Sequence, residues 1–401
     1  LRVLQARLDY ITRITEQSSN TYILENGMRV AVKRSELIEY FKYIIVAIRK
    51  DRWVANLFYR LADKNTRNGI QIFEDFCKSG HMKEKDILAM RVLGDDAQIP
   101  AYRFENVLLR KNRRFYNGDE SNFVNLFASD YNDDFPDPFV RADILNWLYQ
   151  VQALSGPTGD KGLFQVSELA RSLQVYGHSL AVIYRELAYL ARKNLVLCEN
   201  SAMPIEEGDL VKITIPGALH LQMLRNVSYL SACAEDTLFK NTEVMTRISN
   251  RLKFHESDSK LVVALNARDL VNYLIEYRKE YLTNSDELVS EKAIISSVDL
   301  NDSLHAVEQW IQADENLKKT ISEIDYFTVD MDVDACVVSK NSGGVVCTIA
   351  DKDVKGFISS LEPKYSFPRD VYSKIKPGDI LKCKVMEFDF THRSFQLKYL
   401  N

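Results

Sequence analysis

Apolar residues recur every three to four positions in the first part of the chain. Leu1, Leu4, Leu8, Ile11 and Ile14 form one stripe, and Leu37, Phe41, Ile44, Ile45 and Ile48 form another. That spacing predicts amphipathic helices. Two more are predicted from about Trp53 to Ala62 and from Asn68 to Lys78, the second stopped by a glycine C-cap at Ser79-Gly80. Within this mainly helical stretch, Asn26-Gly27 after Tyr22-Ile23-Leu24 reads as a turn. The pattern is already periodic at Leu1, so the chain is expected to start inside a helix of a longer protein.

From Phe139 the order changes. A helix to Leu154 precedes an extended piece at Phe164-Gln165-Val166. A helix from Glu168 to Leu173 capped by Ser167 follows, then a longer one from Leu180 to Lys193 capped by Ser179. Strand-like Leu195-Val196-Leu197 and Leu210 to Ile215 flank the turn Glu207-Gly208-Asp209. Helix, helix, helix, hairpin is the order of a winged helix-turn-helix. Helical periodicity returns over Ala218 to Ala234, Thr237 to Arg251, Leu261 to Leu282 and Leu304 to Ile324.

After Ile324 the period drops from about 3.6 to 2. Strands are predicted at Asp332 to Val338, Gly344 to Ile349, Gly356 to Ile358, Ile380 to Met386 and Ser394 to Lys398. Five short strands in so few residues bury their edges by curling into a barrel, the OB-fold solution. The fold class is therefore multidomain, mainly α with a winged helix, plus a C-terminal all-β OB-fold barrel. The expected division is a helical, lid-like domain at 1–92, a basic connector at 93–135, the winged helix-turn-helix at 136–224, a helical domain at 225–324 and the barrel at 325–401. A linker is expected from Asp130 to Pro138.

A chain of 401 residues with 46% hydrophobic and 27% charged positions has enough apolar surface for several cores. Its 52 basic and 56 acidic side chains leave a net charge of -4, which argues against a surface given over to duplex DNA. A local site built from stacking and a few cations is compatible with it. Six scattered cysteines lack zinc-ligand spacing and read as free thiols in a reducing cytoplasm. No apolar stretch approaches a membrane span.

The terminal stretch resembles the S1 domain, an RNA-binding OB-fold module. The matching positions are Val337, Gly343-Gly344-Val345, Gly356-Phe357-Ile358, Pro377-Gly378-Asp379, Lys384-Val385 with Asp389, and Phe395-Gln396-Leu397. Where such domains open on a glycine, this chain has Asp330-Met331-Asp332-Val333-Asp334. The preceding region resembles the helical and winged-helix part of STAND and AAA-like P-loop ATPases, many of bacterial defence. It does so through Asp63 to Arg67, Gln71 to Phe76 and the winged unit. That resemblance implies that Arg67 faces a nucleotide, with ATP held by a region upstream of Leu1 and no cofactor in this chain.

Of catalytic or phosphate-loop motifs, the nearest imitation is Gly156 to Gly162, whose spacing is wrong and which carries Pro157 where a backbone donor is needed. The six histidines, none within four residues of another, and the acidic pairs Asp95-Asp96 and Asp133-Asp134 suggest neither a metal site nor a catalytic one. The basic run Arg103, Arg110, Lys111, Arg113 and Arg114 reads as a charged face or loop, and Tyr184 and Tyr189 make the third winged helix better suited to protein packing than to base reading.

In the barrel, Phe357 is the expected stacking platform. Lys340, Lys355, Lys382, Lys384, His392 and Arg393 supply a positive rim, and Tyr365, Phe367 and Tyr372 occupy a long third loop. From Phe327 onward there are 11 basic and 10 acidic residues. The expected function is the C-terminal part of a larger P-loop ATPase-like protein whose S1-like domain binds single-stranded RNA or DNA, with protein partners or self-assembly. The alternative is a non-catalytic adaptor whose winged-helix and barrel modules dock polypeptides.

Overall fold

The computed structural model describes residues 2–3, 5–6, 9–10, 19–23, 29–81, 89, 92, 100–130, 136–200, 204–254, 259–282, 297–349, 354–361, 367 and 369–400. The stripe of Leu1, Leu4, Leu8, Ile11 and Ile14, the Asn26-Gly27 turn, and the pairs Asp95-Asp96 and Asp133-Asp134 lie outside them. The chain divides into two compact units: residues 1–245 with 265–307, and residues 246–264 with 308–401.

In the first unit, after helical residues 2–3, 5–6 and 9–10, comes an antiparallel pair, β1 (Ser19–Ile23) and β2 (Arg29–Lys33). Helical periodicity nearby hid these strands. Helices α1 (Arg34–Lys50), α2 (Arg52–Ala62) and α3 (Thr66–Lys78) follow. Asp51 caps α2 by accepting from the Trp53 and Val54 amides at 2.8 and 3.1 Å. Its apolar residues Val54, Leu57, Phe58 and Leu61 are buried at helical spacing. Two residues in the left-handed region, Asp63 (φ 45°) and Lys64 (φ 60°), then reverse the chain before Asn65 caps α3. Helix α3 ends on an extended Ser79 rather than a left-handed glycine, and the Ser79 hydroxyl is taken by the Lys111 carbonyl.

Helix α4 (Ala101–Arg110) overturns the solvated basic face expected there for Arg103 and Arg110, whereas Lys111 and Arg113 are half-buried and Arg114 is exposed. Arg103 and Arg110 are buried, and the Arg110 guanidinium is paired with Glu235 in a site where neither side chain exceeds 2% exposure. The Glu235 carboxylate also accepts from the Tyr116 amide at 2.7 Å, and Asn106 takes a second guanidinium N–H at 2.9 Å.

Residues 123–127 run through the core without regular structure, so side chains must satisfy their backbone. The Val124 amide donates to His220 Nε2 at 2.9 Å, and the Val124 carbonyl accepts from the Tyr229 hydroxyl at 2.7 Å. That hydroxyl accepts the Leu126 amide at 3.2 Å, and Arg141 donates to the Asn125 carbonyl at 3.1 Å.

Next come α5 (Val140–Val151), β3 (Phe164–Gln165), α6 (Val166–Val175), α7 (Leu180–Arg192), β4 (Val196–Cys198) and β5 (Leu210–Ile213). The strands form an antiparallel sheet in the order β3-β5-β4. Ser167 lies inside α6 rather than capping it, because pairing of β3 brings the chain into the helix at Val166; the Ser167 amide donates to the Glu207 carbonyl at 3.0 Å. The apolar run after Ile213 is two helices, α8 (Ile215–Met223) and α9 (Val227–Asp236), separated because Asn226 caps the second. Helices α10 (Thr242–Phe254) and α11 (Lys260–Tyr281) follow. The expected helix from Leu304 to Ile324 is likewise two, α12 (Asn301–Gln312) and α13 (Glu315–Tyr326), with Asp314 capping the Leu317 amide at 3.2 Å.

In the second unit, β6 (Asp332–Asn341), β7 (Gly344–Ile349), β8 (Val354–Ser359), β9 (Ile380–Asp389) and β10 (Ser394–Tyr399) close into a barrel in the order β10-β8-β7-β6-β9, compatible with an OB-fold. All pairs are antiparallel except β10 with β8, a two-residue parallel seam. Inward alternation buries Ala335, Val337, Val345, Cys347, Ile358, Cys383, Val385 and Leu397. Burial pushes the Cys347 and Cys383 thiols up to about 12, so both are inert packing groups. Phe327, just past α13, continues the core into a line of rings through Phe395, Phe388 and Phe390, with centroids 5.0 to 5.1 Å apart. The expected third loop contains a short helix, α14 (Arg369–Lys374).

Candidate nucleic-acid interface

Strand β8 alternates up to its last residue: Val354, Gly356 and Ile358 are buried, whereas Lys355 is exposed and Phe357 half-buried; Ser359 is buried as well. Phe357 therefore sits on the outer surface of the barrel. Its neighbours in the ladder are Val346 on β7 and Gln396 on β10, and Lys355 stands beside Thr348. The outer surface of the second and third barrel strands is where OB-folds receive oligonucleotides, together with the loops after the first and fourth strands.

The ring of Phe357 is held by what lies under it. A Cβ on Gly344 would come within 2.7 Å of the Phe357 Cζ and 2.2 Å of the Ile358 carbonyl oxygen, so only glycine lets the ring lie against the backbone here.

The turn between β9 and β10 is organised by Asp389. Its Oδ1 accepts from the Thr391 and His392 amides at 2.8 and 3.1 Å, and its Oδ2 from His392 Nδ1 at 2.7 Å and Gln396 Nε2 at 3.4 Å. Partial burial opposes its charge, but the hydrogen bonds from His392 and Thr391 outweigh that and hold the carboxyl below its ordinary range. The His392 side chain is 76% exposed, and Arg393 occupies the left-handed region at φ 50°. Through Gln396, the turn and Phe357 belong to one surface. It is bordered by Glu387, which pairs with Gln396 from the other side.

The expected rim thus separates into three groups. Phe357 and Lys355 share this surface, with His392 and Arg393 in the turn beside it. Lys382 and Lys384 belong to the β6–β9 side, where Lys382 pairs with Asp334 and the Lys384 ammonium lies 3.9 Å from Asp330 and 4.0 Å from Asp332. Lys340 caps α14: its ammonium donates to the Tyr372 carbonyl and, at 3.4 Å, to that of Ser373, with the Tyr372 ring 4.4 Å away. Tyr365 lies outside the described residues. Phe367 is 7% exposed and packs on Tyr399 at 5.1 Å, so it is a core residue rather than part of a gripping loop. Val346, Thr348, Gln396 and Asp389 were missing from the sequence-based site; period-2 alternation outward from Phe357 was the signal that could have found the first three.

Elsewhere, Arg67 is exposed in the first turn of α3, its amide accepted by Asn65 Oδ1 at 2.9 Å. The glycine loop at 156–162 spends its donors internally: the Gly156, Gly159 and Gly162 amides bond the Asp160, Gly156 and Leu154 carbonyls, each at 2.9 Å. On α7, the Tyr189 hydroxyl donates to Asp119 at 2.7 Å, the Tyr189 ring lies 3.9 Å from the Arg141 guanidinium, and Lys193 bonds the Asp119 carbonyl. Among the described residues, no group of three or more His, Cys, Asp or Glu is placed to hold a metal, and no helix is long and apolar enough to cross a membrane.

No protein-family model matches the chain, and no curated protein does. Solved structures similar to it at a low level include two of one enzyme. One is Mycoplasma genitalium RNase R in complex with ribose methylated single-stranded RNA, at 13% identity and a TM-score of 0.19, covering 65% of this chain and 40% of that one. The other is the apo form of the same enzyme, at 11% identity and a TM-score of 0.17, covering 79% of this chain and 52% of that one. The chain spans about half or less of the length of these proteins, and overlaps this loose carry no argument about its activity.

Proposed function

We propose that the barrel is an S1-type module that binds single-stranded nucleic acid, RNA or DNA, across the outer surface of β7 and β8. The observation that carries this reading is the half-buried Phe357 ring, outward-facing between Val346 and Gln396, with Lys355 on the same strand and His392 and Arg393 in the neighbouring turn. A flat ring stacks a base whatever its identity, and a few cations hold the backbone beside it. Duplex needs a longer run of phosphate contacts than this surface offers.

The test is fluorescence anisotropy of the full chain with labelled single-stranded RNA, single-stranded DNA and duplex at low salt. Single strands are expected to bind more tightly than duplex. Loss of one stacking contact costs about 1–3 kcal/mol, so Phe357→Ala should weaken them about 5- to 150-fold. Millimolar affinity unaltered by Phe357→Ala would remove the reading.

In the first unit, the α5, α6, α7 and β3-β5-β4 arrangement is read as a winged helix used for packing within the protein. What favours packing over base reading is that Tyr189 and Lys193 of α7 are committed to Asp119.

A further inference from the structure

Both ring nitrogens of His178, which precedes α7, face carboxylates in the interior of the first unit. Nδ1 lies 2.5 Å from Asp137 Oδ2 and Nε2 lies 3.0 Å from Asp143 Oδ2, with the imidazole fully buried and neither carboxylate side chain above 7% exposure. A neutral imidazole carries one N–H and one lone pair, so it satisfies only one of these contacts and sets a lone pair against the other carboxylate. The geometry fits an imidazolium donating from both nitrogens.

Asp143 uses its remaining capacity to hold a distant stretch of chain. Its Oδ1 accepts from the Ser297 hydroxyl and the Val298 amide, both at 2.8 Å. Val298 and Leu300 are buried, and α12 begins at Asn301. Among the described residues, the charged groups around the imidazole are Asp137, Asp143 and the Arg278 guanidinium, 3.8 Å from Asp143 and 3.9 Å from the Phe139 ring. Two carboxylates, one guanidinium and one imidazolium sum to zero; removing the imidazole proton leaves a buried net negative charge. The nearby phenols, Tyr176 beside Asp143 and Tyr277 beside Asp137, are both held above their ordinary 10 by burial, so neither gives up its proton first.

We propose that His178 is a proton-held latch: its imidazolium clasps Asp137 and Asp143 and, through Asp143, fixes residues 297–300 against α5. Burial of the ring opposes its charge, and the hydrogen bonds it donates to the two aspartates outweigh that, raising the imidazole to about 9. The latch is closed at neutral pH and opens in alkali.

The test is a titration of the full chain from pH 6 to 10.5. The six histidine rings are followed by carbon-13 NMR, and amide exchange is read at Val298 and at Val124. One ring is expected to titrate near pH 9, about 2.5 pH units above a free imidazole. Protection of Val298 should fall at least about tenfold across that midpoint while Val124 keeps its own. Asp137→Asn leaves the Asp143 contact in place and should move both midpoints down by about 1–3 pH units. A set of rings all titrating near the free value, an unmoved midpoint in Asp137→Asn, or Val298 protection that survives deprotonation would each overturn the proposal.

Discussion

The ring of Phe357 rests over Gly344, where a Cβ would approach its Cζ to 2.7 Å. The glycine is in effect the shelf that sets the height and tilt of the proposed stacking surface. Gly344→Ala forces the ring or the Ile358 carbonyl to move, and overpacking of this kind costs about 1–3 kcal/mol. We expect Gly344→Ala to lower the barrel's unfolding midpoint and weaken single-strand binding together. Phe357→Ala should also weaken binding, with a loss of stability set by the covered part of the ring. Calorimetry beside anisotropy checks this; binding by Gly344→Ala equal to wild type would show that the shelf has no role.

The proposed interface holds few cations, and its salt dependence should be shallow. Single-stranded ligands lose affinity with a slope near -0.7 per neutralised phosphate, so Lys355, His392 and Arg393 together give a log-log slope of about -1 to -2. Lys355→Ala should flatten it by about 0.7, whereas Lys340→Ala, which removes the α14 cap, should leave it alone and lower stability. Anisotropy at several salt concentrations distinguishes the two.

Arg110 and Glu235 are almost completely buried and depend on each other. Removing one partner strands the other's charge, so Arg110→Ala is expected to destabilise the first unit by about 3–5 kcal/mol. The double change Arg110→Met with Glu235→Leu should recover much of that loss. Urea unfolding of the three proteins measures it, and a single change as mild as an exposed one would contradict the burial of the pair.

His220 has the opposite requirement to His178. Burial depresses its imidazole to about 4, against the bond from its ring N–H to the Pro216 carbonyl. The sign follows from linkage: a depressed folded value means stability that is complete above about 6.5 and is lost as pH falls from there toward 4. The loss is on the order of 3 kcal/mol. Thermal unfolding between pH 7.5 and 4.5 should show it, and His220→Gln, less stable at pH 7.5, should flatten the dependence. A wild-type profile flat over that range would contradict a neutral, buried His220.

The barrel strands and the α5 to β5 succession were legible because their periodicity is local: alternation in β8, three-to-four spacing in α7. Helix breaks at Asn226 and Asp314 were less visible, since capping residues look like ordinary polar positions until the turn they cap is placed. Least legible were the charges. Arg103 and Arg110 belong to a basic run that reads as solvated, and nothing in the local sequence announces Glu235, which lies 125 residues further on. The same limit applies at the candidate site. Phe357 could be picked out beside its glycine, but which lysines share its surface depends on strand pairing, and that separates Lys355 from Lys382 and Lys384.

Among the described residues, the barrel is joined along one line by two residue pairs, Phe395 with Gly356 and Gln396 with Phe357. A seam so short is the natural place for the cylinder to breathe, and when it parts, β8 becomes a free edge carrying an aromatic side chain. Such an edge invites a strand from another molecule. Any polymer lying across β8 and β10 would act as a stitch, so nucleic acid bound there should suppress aggregation on mild heating as well as raise the melting temperature.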